Sequence, residues 1–67
     1  MNGVILRKRA DRGFCFIKGE DDNGGKDYFC HQSQCLTPFE DLHEGDFVTF
    51  RIQQHEKGLR AIEVKLQ

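Results

Sequence analysis

No apolar run in this sequence is longer than the five residues of Gly13-Phe14-Cys15-Phe16-Ile17, far short of the ~18 consecutive apolar residues that a membrane helix requires. A membrane-spanning helix is therefore excluded. The chain does not open with a basic segment followed by an apolar stretch, so nothing in it resembles a secretory signal. Cysteine is scarce and odd in number: Cys15, Cys30 and Cys35 cannot all pair within one chain, and no CxxC spacing exists. A reducing, cytoplasmic setting is expected. Length is also lacking, since 67 residues is less than half of the roughly 150 that make an ordinary domain. One domain spanning residues 1–67 is expected. A chain this small buries only about 60% of its unfolded surface, which leaves little room for a deep, water-free catalytic pocket. Binding modules are favoured over enzymes. The sequence also lacks a plausible Ser/His/Asp or Cys/His constellation, and Asp21 and Asp22 read as a solvated turn rather than an acid/base pair.

An excess of charge of one sign is missing as well, because ten Lys and Arg against eleven Asp and Glu leave a net charge of −1. The distribution is more informative than the sum. Residues 7 to 12 read Arg7-Lys8-Arg9-Ala10-Asp11-Arg12, while Glu20, Asp21, Asp22 and then Glu40, Asp41, Glu44 and Asp46 gather elsewhere. A polyanion responds to the local patch, since exposed charges separated by more than a Debye length of about 10 Å are screened at 0.1 M salt. The acidic total does not exclude nucleic acid.

No amphipathic helix stands out. Apolar residues recur at spacing two in Phe14-Cys15-Phe16-Ile17, Tyr28-Phe29-Cys30 and Val48-Thr49-Phe50-Arg51-Ile52, the period of a strand. Turn residues at Ala10-Asp11-Arg12-Gly13, Asp21-Asp22-Asn23-Gly24-Gly25, Glu44-Gly45-Asp46 and Glu56-Lys57-Gly58 divide the chain. Strands are predicted near 3–9, 13–19, 27–31, 46–53 and 59–66. Between the third and fourth lies the longest irregular stretch, where Thr37-Pro38 argues against a strand and a surface loop with a short helical turn is expected. Five short strands must hide their edges, and closure into a small antiparallel barrel does so. The predicted fold class is all-β.

A hairpin loop centred on Asp22 and Asn23 would set Phe14 opposite His31 and Phe16 opposite Phe29. Side chains alternate across a strand, so these four share one face, and Cys15, Ile17, Tyr28 and Cys30 share the other. Both faces are largely apolar. A barrel buries only one of them, and a register slip of one residue would exchange the sets, so periodicity alone leaves open which is inside.

Arg12-Gly13-Phe14-Cys15-Phe16-Ile17 resembles the first ribonucleoprotein motif of the cold-shock domain, usually Lys-Gly-Phe-Gly-Phe-Ile. Tyr28-Phe29-Cys30-His31-Gln32-Ser33 resembles its second motif, Val-Phe-Val-His-Phe-Ser. Leu42-His43-Glu44-Gly45-Asp46-Phe47-Val48-Thr49-Phe50 is similar to Leu-x-Glu-Gly-x-x-Val-x-Phe, and Lys57-Gly58-Leu59-Arg60-Ala61 to Lys-Gly-Pro-x-Ala. With the opening Gly-Val-Ile strand, the likeness covers essentially the whole chain. It implies a five-stranded OB-type barrel that binds single-stranded RNA and DNA, with pyrimidine-rich strands the family expectation, and acts as an RNA chaperone or regulator rather than an enzyme. Aromatic side chains stack bases at ~1–3 kcal/mol each, and nearby cations hold the backbone.

Carried over by position, Phe14, Phe16, Phe29 and His31 match the stacking platform, Phe39 matches a loop aromatic, and Arg12, Lys57 and Arg60 stand in the matching basic motifs. The sequence departs from the family where Lys-Trp-Phe-Asn is usual and Leu6-Arg7-Lys8-Arg9 stands here. Arg7 and Lys8 thus replace two aromatic planes with cations, and Gln32 replaces the Phe that follows the histidine. An arginine can still lie on a base and contact phosphate, so more salt-dependent binding is expected. Leu6 and Phe47 are predicted to face outward; if adjoining, they form a patch for weak self-association of an otherwise monomeric chain, or for a protein partner. An OB-type protein-interaction module is accordingly the alternative reading. No cofactor is expected. A zinc site would need about four ligands, and His31 points away from Cys30; His43 and His55 read as surface residues. Cys15 and Cys30 are expected to face each other inside the barrel as small buried hydrophobes, with a redox disulfide between them as the sharper alternative.

Overall fold

Strand-period alternation, punctuated by glycine and acidic turns, resolves into β1 (Asn2–Arg9), β2 (Phe14–Gly19), β3 (Tyr28–His31), β4 (Phe47–His55) and β5 (Gly58–Leu66) in the computed structural model, which describes every residue from Met1 to Gln67. Each boundary falls within two residues of its predicted place. The strands close into a barrel in the order β1-β2-β3-β5-β4, with β4 returning to β1. The stretch between β3 and β4 holds two short 3-10 turns, Gln32–Gln34 and Phe39–Asp41. No helix is long and apolar enough to cross a membrane.

Antiparallel pairing throughout is not possible for this ring, and the expectation is corrected at one seam. An odd number of strands cannot alternate direction all the way round, so one neighbouring pair must run parallel. That pair is β3 and β5, which meet at Phe29 and Arg60, with a further parallel bridge between Cys35 and Val64. A parallel pair cannot be joined by a tight hairpin. The chain accordingly leaves β3, crosses the barrel end, forms β4 against β1, and only then returns as β5.

The core decides the question that periodicity leaves open. β2 and β3 pair with Phe14 opposite His31, Cys15 opposite Cys30, Phe16 opposite Phe29 and Ile17 opposite Tyr28. Cys15, Ile17, Tyr28 and Cys30 are buried with Ile5, Leu42, Val48, Phe50, Ala61 and Val64. The other face, with Phe14, Phe16, Phe29 and His31, is half-exposed. Volume explains the choice: a small barrel is filled by side chains alone, and an overpacked core is destabilised. Thiols and β-branched residues fit around the Tyr28–Phe50 ring pair, whose centroids are 5.3 Å apart; three further phenylalanines would overfill it.

Two bulges shape the wall. Ile5 pairs with Ile17 and Arg7 with Phe16, leaving Leu6 unopposed. In a regular strand Ile5 and Arg7, two residues apart, would share a face; with Leu6 bulged, Ile5 enters the core and Arg7 joins the outer aromatic surface. On β5, the pairs Thr49–Lys65 and Arg51–Ile62 enclose one residue more than β4 supplies, and Glu63 takes a left-handed φ of 52° there. Its carboxylate accepts a hydrogen bond from Arg51 at 3.1 Å, across the bulge.

The buried Tyr28 hydroxyl donates to an Asp21 carboxylate oxygen at 2.7 Å. Burial, and then that carboxylate, push the phenol from its ordinary value of 10.0 up to about 12. A group that holds its proton more tightly when folded contributes stability below its unfolded pKa and loses it as pH rises through the folded one. Between pH 10 and about 12 the protein is expected to lose stability relative to Tyr28→Phe. Denaturant unfolding of both proteins across that range measures this; curves that stay parallel would contradict it.

Candidate nucleic-acid interface

Three phenylalanine rings cover the outer face of the β2–β3 hairpin. Their centroids stand 5.6 Å apart for Phe14 and Phe16, 5.5 Å for Phe14 and Phe29, and 5.9 Å for Phe16 and Phe29. Phe14 and Phe29 are tilted by 32°, while Phe16 is nearly edge-on to both. Edge-to-face contact satisfies the ring quadrupoles against one another and fixes the cluster, yet leaves ring surface open to solvent. His31 closes the cluster beside Phe14. Its Nδ1 accepts from the Ser33 N–H at 3.1 Å and lies 2.8 Å from the Ser33 hydroxyl. With Nδ1 an acceptor, the neutral ring carries its proton on Nε2, free to donate outward.

Cations flank the rings on two sides. The Arg7 guanidinium lies 5.7 Å from the Phe16 centroid and the Arg60 guanidinium 5.3 Å from that of Phe29, one from each neighbouring strand. Arg9 pairs with Phe14 in the β1–β2 register and reaches Asp11 at 3.6 Å. Arg12 sits exposed in the turn before β2. At Gly13 the chain needs φ of +74°, and a Cβ there would come within 2.8 Å of the Gln32 side chain, which packs over the turn. Gln32 also donates its backbone N–H to the Gly13 carbonyl at 2.8 Å, and it is the left-handed φ that favours glycine here.

A groove of about 330 Å³ runs from Phe29 to the β4–β5 turn, lined by Phe29, His55, Lys57, Gly58, Leu59 and Arg60. It continues into a second hollow of about 350 Å³ that adds Asn23, Lys26 and Asp27 from the β2–β3 loop. His55, Leu59 and Lys26 were not among the residues predicted from sequence. Leu59 stands inside the Lys57-to-Ala61 motif and offered a signal; Lys26 lies in the β2–β3 loop and His55 at the end of β4, and only closure of the ring brings them together beside Phe29. The larger hollow of about 480 Å³ lies elsewhere, between Val4, Lys18 and Phe47.

Lys8 does not join the aromatic face. It pairs with Cys15, which turns its side chain to the other side of β1 from Arg7. Its ammonium donates to the Phe39 carbonyl at 2.7 Å and the Leu42 carbonyl at 2.6 Å, and stands 4.6 Å from the Phe39 ring centroid. Phe39 packs against the core beneath it. Both residues expected on the platform thus secure the loop between β3 and β4. Leu6 and Phe47 are exposed, at 42% and 66%, but Phe47 pairs with Val4, and Leu6 stands two residues further along β1.

The three cysteines are free thiols, with Cys15 and Cys30 opposite each other in the core and Cys35 half-buried. Cys30 is pushed well up by the sulfurs of Cys15 and Cys35 and by burial. The hydrogen bond from Cys30 lowers Cys35. No group of three or more His, Cys, Asp or Glu side chains is placed to hold a metal ion.

The surface so described, a solvent-facing phenylalanine cluster between two arginines on a closed five-stranded barrel, agrees with what the chain resembles as a whole. The family model described as 'Cold-shock' DNA-binding domain matches residues 1–67. Cold shock protein 2 of Lactiplantibacillus plantarum is 42% identical over 67 residues, covering 98% of this chain and 97% of its own. Cold shock-like protein CspA of Shewanella violacea is 44% identical over 63 residues, covering 92% and 87%. Cold shock-like protein CspB of Escherichia coli is 40% identical over 65 residues, covering 96% and 89%. The chain belongs to the cold-shock domain family of nucleic-acid-binding barrels.

Proposed function

We propose that this protein binds single-stranded RNA and DNA on the outer face of β2 and β3, without catalysing a reaction, and acts in the cytoplasm as an RNA chaperone or regulator of gene expression. The observation that carries this reading is the half-exposed Phe14, Phe16 and Phe29 cluster with Arg7 and Arg60 on its flanks. Every base has a π face, so three fixed rings stack successive bases whatever their sequence; pyrimidine-rich strands are the expected ligands only from the likeness to the cold-shock domain family. A strand held extended on these rings cannot pair locally. Beyond Phe29 the groove with Lys57 and Arg60 continues the track, and its cations face the phosphates. Arg7 takes the place of a stacking aromatic and serves both ends, laid on Phe16 and reaching phosphate.

Titration of labelled protein with a short oligothymidine, followed by backbone amide NMR at low and near-physiological salt, tests this. Shifts clustered at Arg7, Phe14, Phe16, Phe29, His31 and Arg60 are expected. Unchanged spectra at millimolar ligand, even at low salt, would refute it and favour a protein-interaction module centred on the exposed Phe47.

Phe16→Ala and Phe29→Ala are each expected to weaken oligothymidine binding by ~1–3 kcal/mol, roughly 5- to 150-fold, with little loss of fold because neither ring is in the core. Arg7→Ala and Lys8→Met are expected to separate two roles. The first reduces the slope of log affinity against log salt by up to about 0.7, the contribution of one phosphate contact on a single strand. The second removes charged hydrogen bonds to two carbonyls, costing roughly 1–3 kcal/mol of stability and leaving affinity nearly unchanged. Fluorescence titrations and denaturant unfolding of both variants measure the contrast; an equal loss of affinity would put Lys8 on the binding face.

A further inference from the structure

The cysteines play no part in the nucleic-acid surface described above, yet they bring reactive groups to its edge. Cys30 Sγ lies 3.6 Å from Cys35 Sγ. Both thiols point at the carbonyl of His31, at 3.5 Å from Cys30 and 3.8 Å from Cys35. The fold forces this approach. β3 ends at His31, the single 3-10 turn Gln32–Gln34 folds the chain back, and Cys35 is pinned on the far side by its bridge to Val64 and by donating its N–H to the Gln32 carbonyl at 3.3 Å. The two sulfurs therefore face each other across one turn. A disulfide requires an S–S separation of about 2.05 Å, so they need approach by only about 1.5 Å.

Access divides the roles. Cys15 and Cys30 are sealed in the core, whereas Cys35 is partly exposed. The Cys30 hydrogen bond favours a thiolate at Cys35, and the ammonium of Lys8 adds to the effect against the opposing pull of burial. A partly exposed, electropositive thiol is the one an oxidant reaches, and a neighbouring thiol resolves the product.

We propose that Cys30 and Cys35 form a reversible disulfide when the protein meets a peroxide oxidant, and that this modification resets His31 and Gln32 at the edge of the aromatic face. The Cys35 thiolate attacks one peroxide oxygen, the O–O bond breaks, and a sulfenic acid and hydroxide result. The sulfur of Cys30 then attacks the sulfenic sulfur, the S–S bond forms as the S–O bond breaks, and the departing hydroxide leaves as water with the thiol proton. Two thiols lose two electrons in all, and one peroxide is reduced to two waters. A dithiol reductant reverses the reaction by exchange.

The consequence follows from what the thiols hold. Oxidation ends the thiol contacts with the His31 carbonyl and draws the Gln32–Gln34 turn inward. Ser33 sits in that turn and orients the His31 ring through Nδ1. Gln32 in turn covers Gly13, at the start of β2. The effect on affinity rests on the nucleic-acid reading given above; formation of the disulfide does not.

The reduced protein is treated with hydrogen peroxide, alkylated under denaturing conditions, and analysed by intact mass and peptide mapping, with parallel amide NMR and oligothymidine titration. Expected are a Cys30–Cys35 linkage with Cys15 alkylated, shifts at His31 to Cys35, and a loss of affinity of about fivefold, corresponding to one stacking contact disturbed. Dithiothreitol restores all three. Cys35→Ser is expected to be indifferent to peroxide in every readout, and Cys15→Ala to respond like the unaltered protein. Three alkylated thiols after peroxide, a linkage through Cys15, a link between two chains, or an over-oxidised Cys35 without a bridge would each overturn the proposal. A bridge formed with no change at His31 and no loss of affinity would overturn the control it is said to exert. Failure of the reduced protein to bind oligothymidine, with the bridge formed as expected, would remove the nucleic-acid reading and leave the modification site established.

Discussion

The narrow interior of a ring of five strands is the constraint on which everything else in this protein depends. It admits one face of each strand and no more, and its volume is met by Tyr28, Phe50 and a set of aliphatic side chains and thiols. Because Phe14, Phe16 and Phe29 do not fit inside, they are held outside, on a hairpin whose other face is fully committed to the core. Exposure of three large apolar rings is normally costly to solubility. Here it is a direct product of closure, and their edge-to-face packing keeps them ordered without burying them.

Closure also supplies the charges. The parallel seam between β3 and β5, unavoidable in a ring of odd strand number, sets Arg60 beside Phe29 and brings the β4–β5 turn against the β2–β3 loop. On the opposite flank the bulge at Leu6 changes which side of β1 faces out, and Arg7 rather than Lys8 reaches the rings. A single unpaired residue thus assigns neighbouring cations to different tasks. Lys8 holds the carbonyls of Phe39 and Leu42, which anchors the long connection crossing the barrel end. The same connection carries Cys35 back to Cys30, so the segment that makes the topology possible also places two thiols beneath His31.

Much of this was legible in the residues. Strand positions followed from the spacing of apolar residues and from glycine and acidic turns, and the β2–β3 register followed from the centre of its loop. Phe14, Phe16, Phe29 and His31 were recognisable as one face from that register alone, and the motifs that contain them match the family's stacking positions. Carrying Arg7 and Lys8 over together from the family's first-strand motif did not separate their directions, and no local pattern announces a bulge at a leucine. The direction of Phe39 was beyond the sequence for a related reason, since that of a loop aromatic depends on which cation and which core atoms it meets.

Composition and order by themselves determined that the chain is all-β, and that an aromatic set and a thiol set lie on opposite faces of one hairpin, because a period of two follows from backbone geometry and needs no partner. Tertiary structure alone decided which set is inside, which strands run parallel, which of two adjacent cations flanks the rings, and which cysteine lies against Cys30. Each of these is set by volume and by contacts between residues far apart in the chain, and such contacts exist only once the ring has closed.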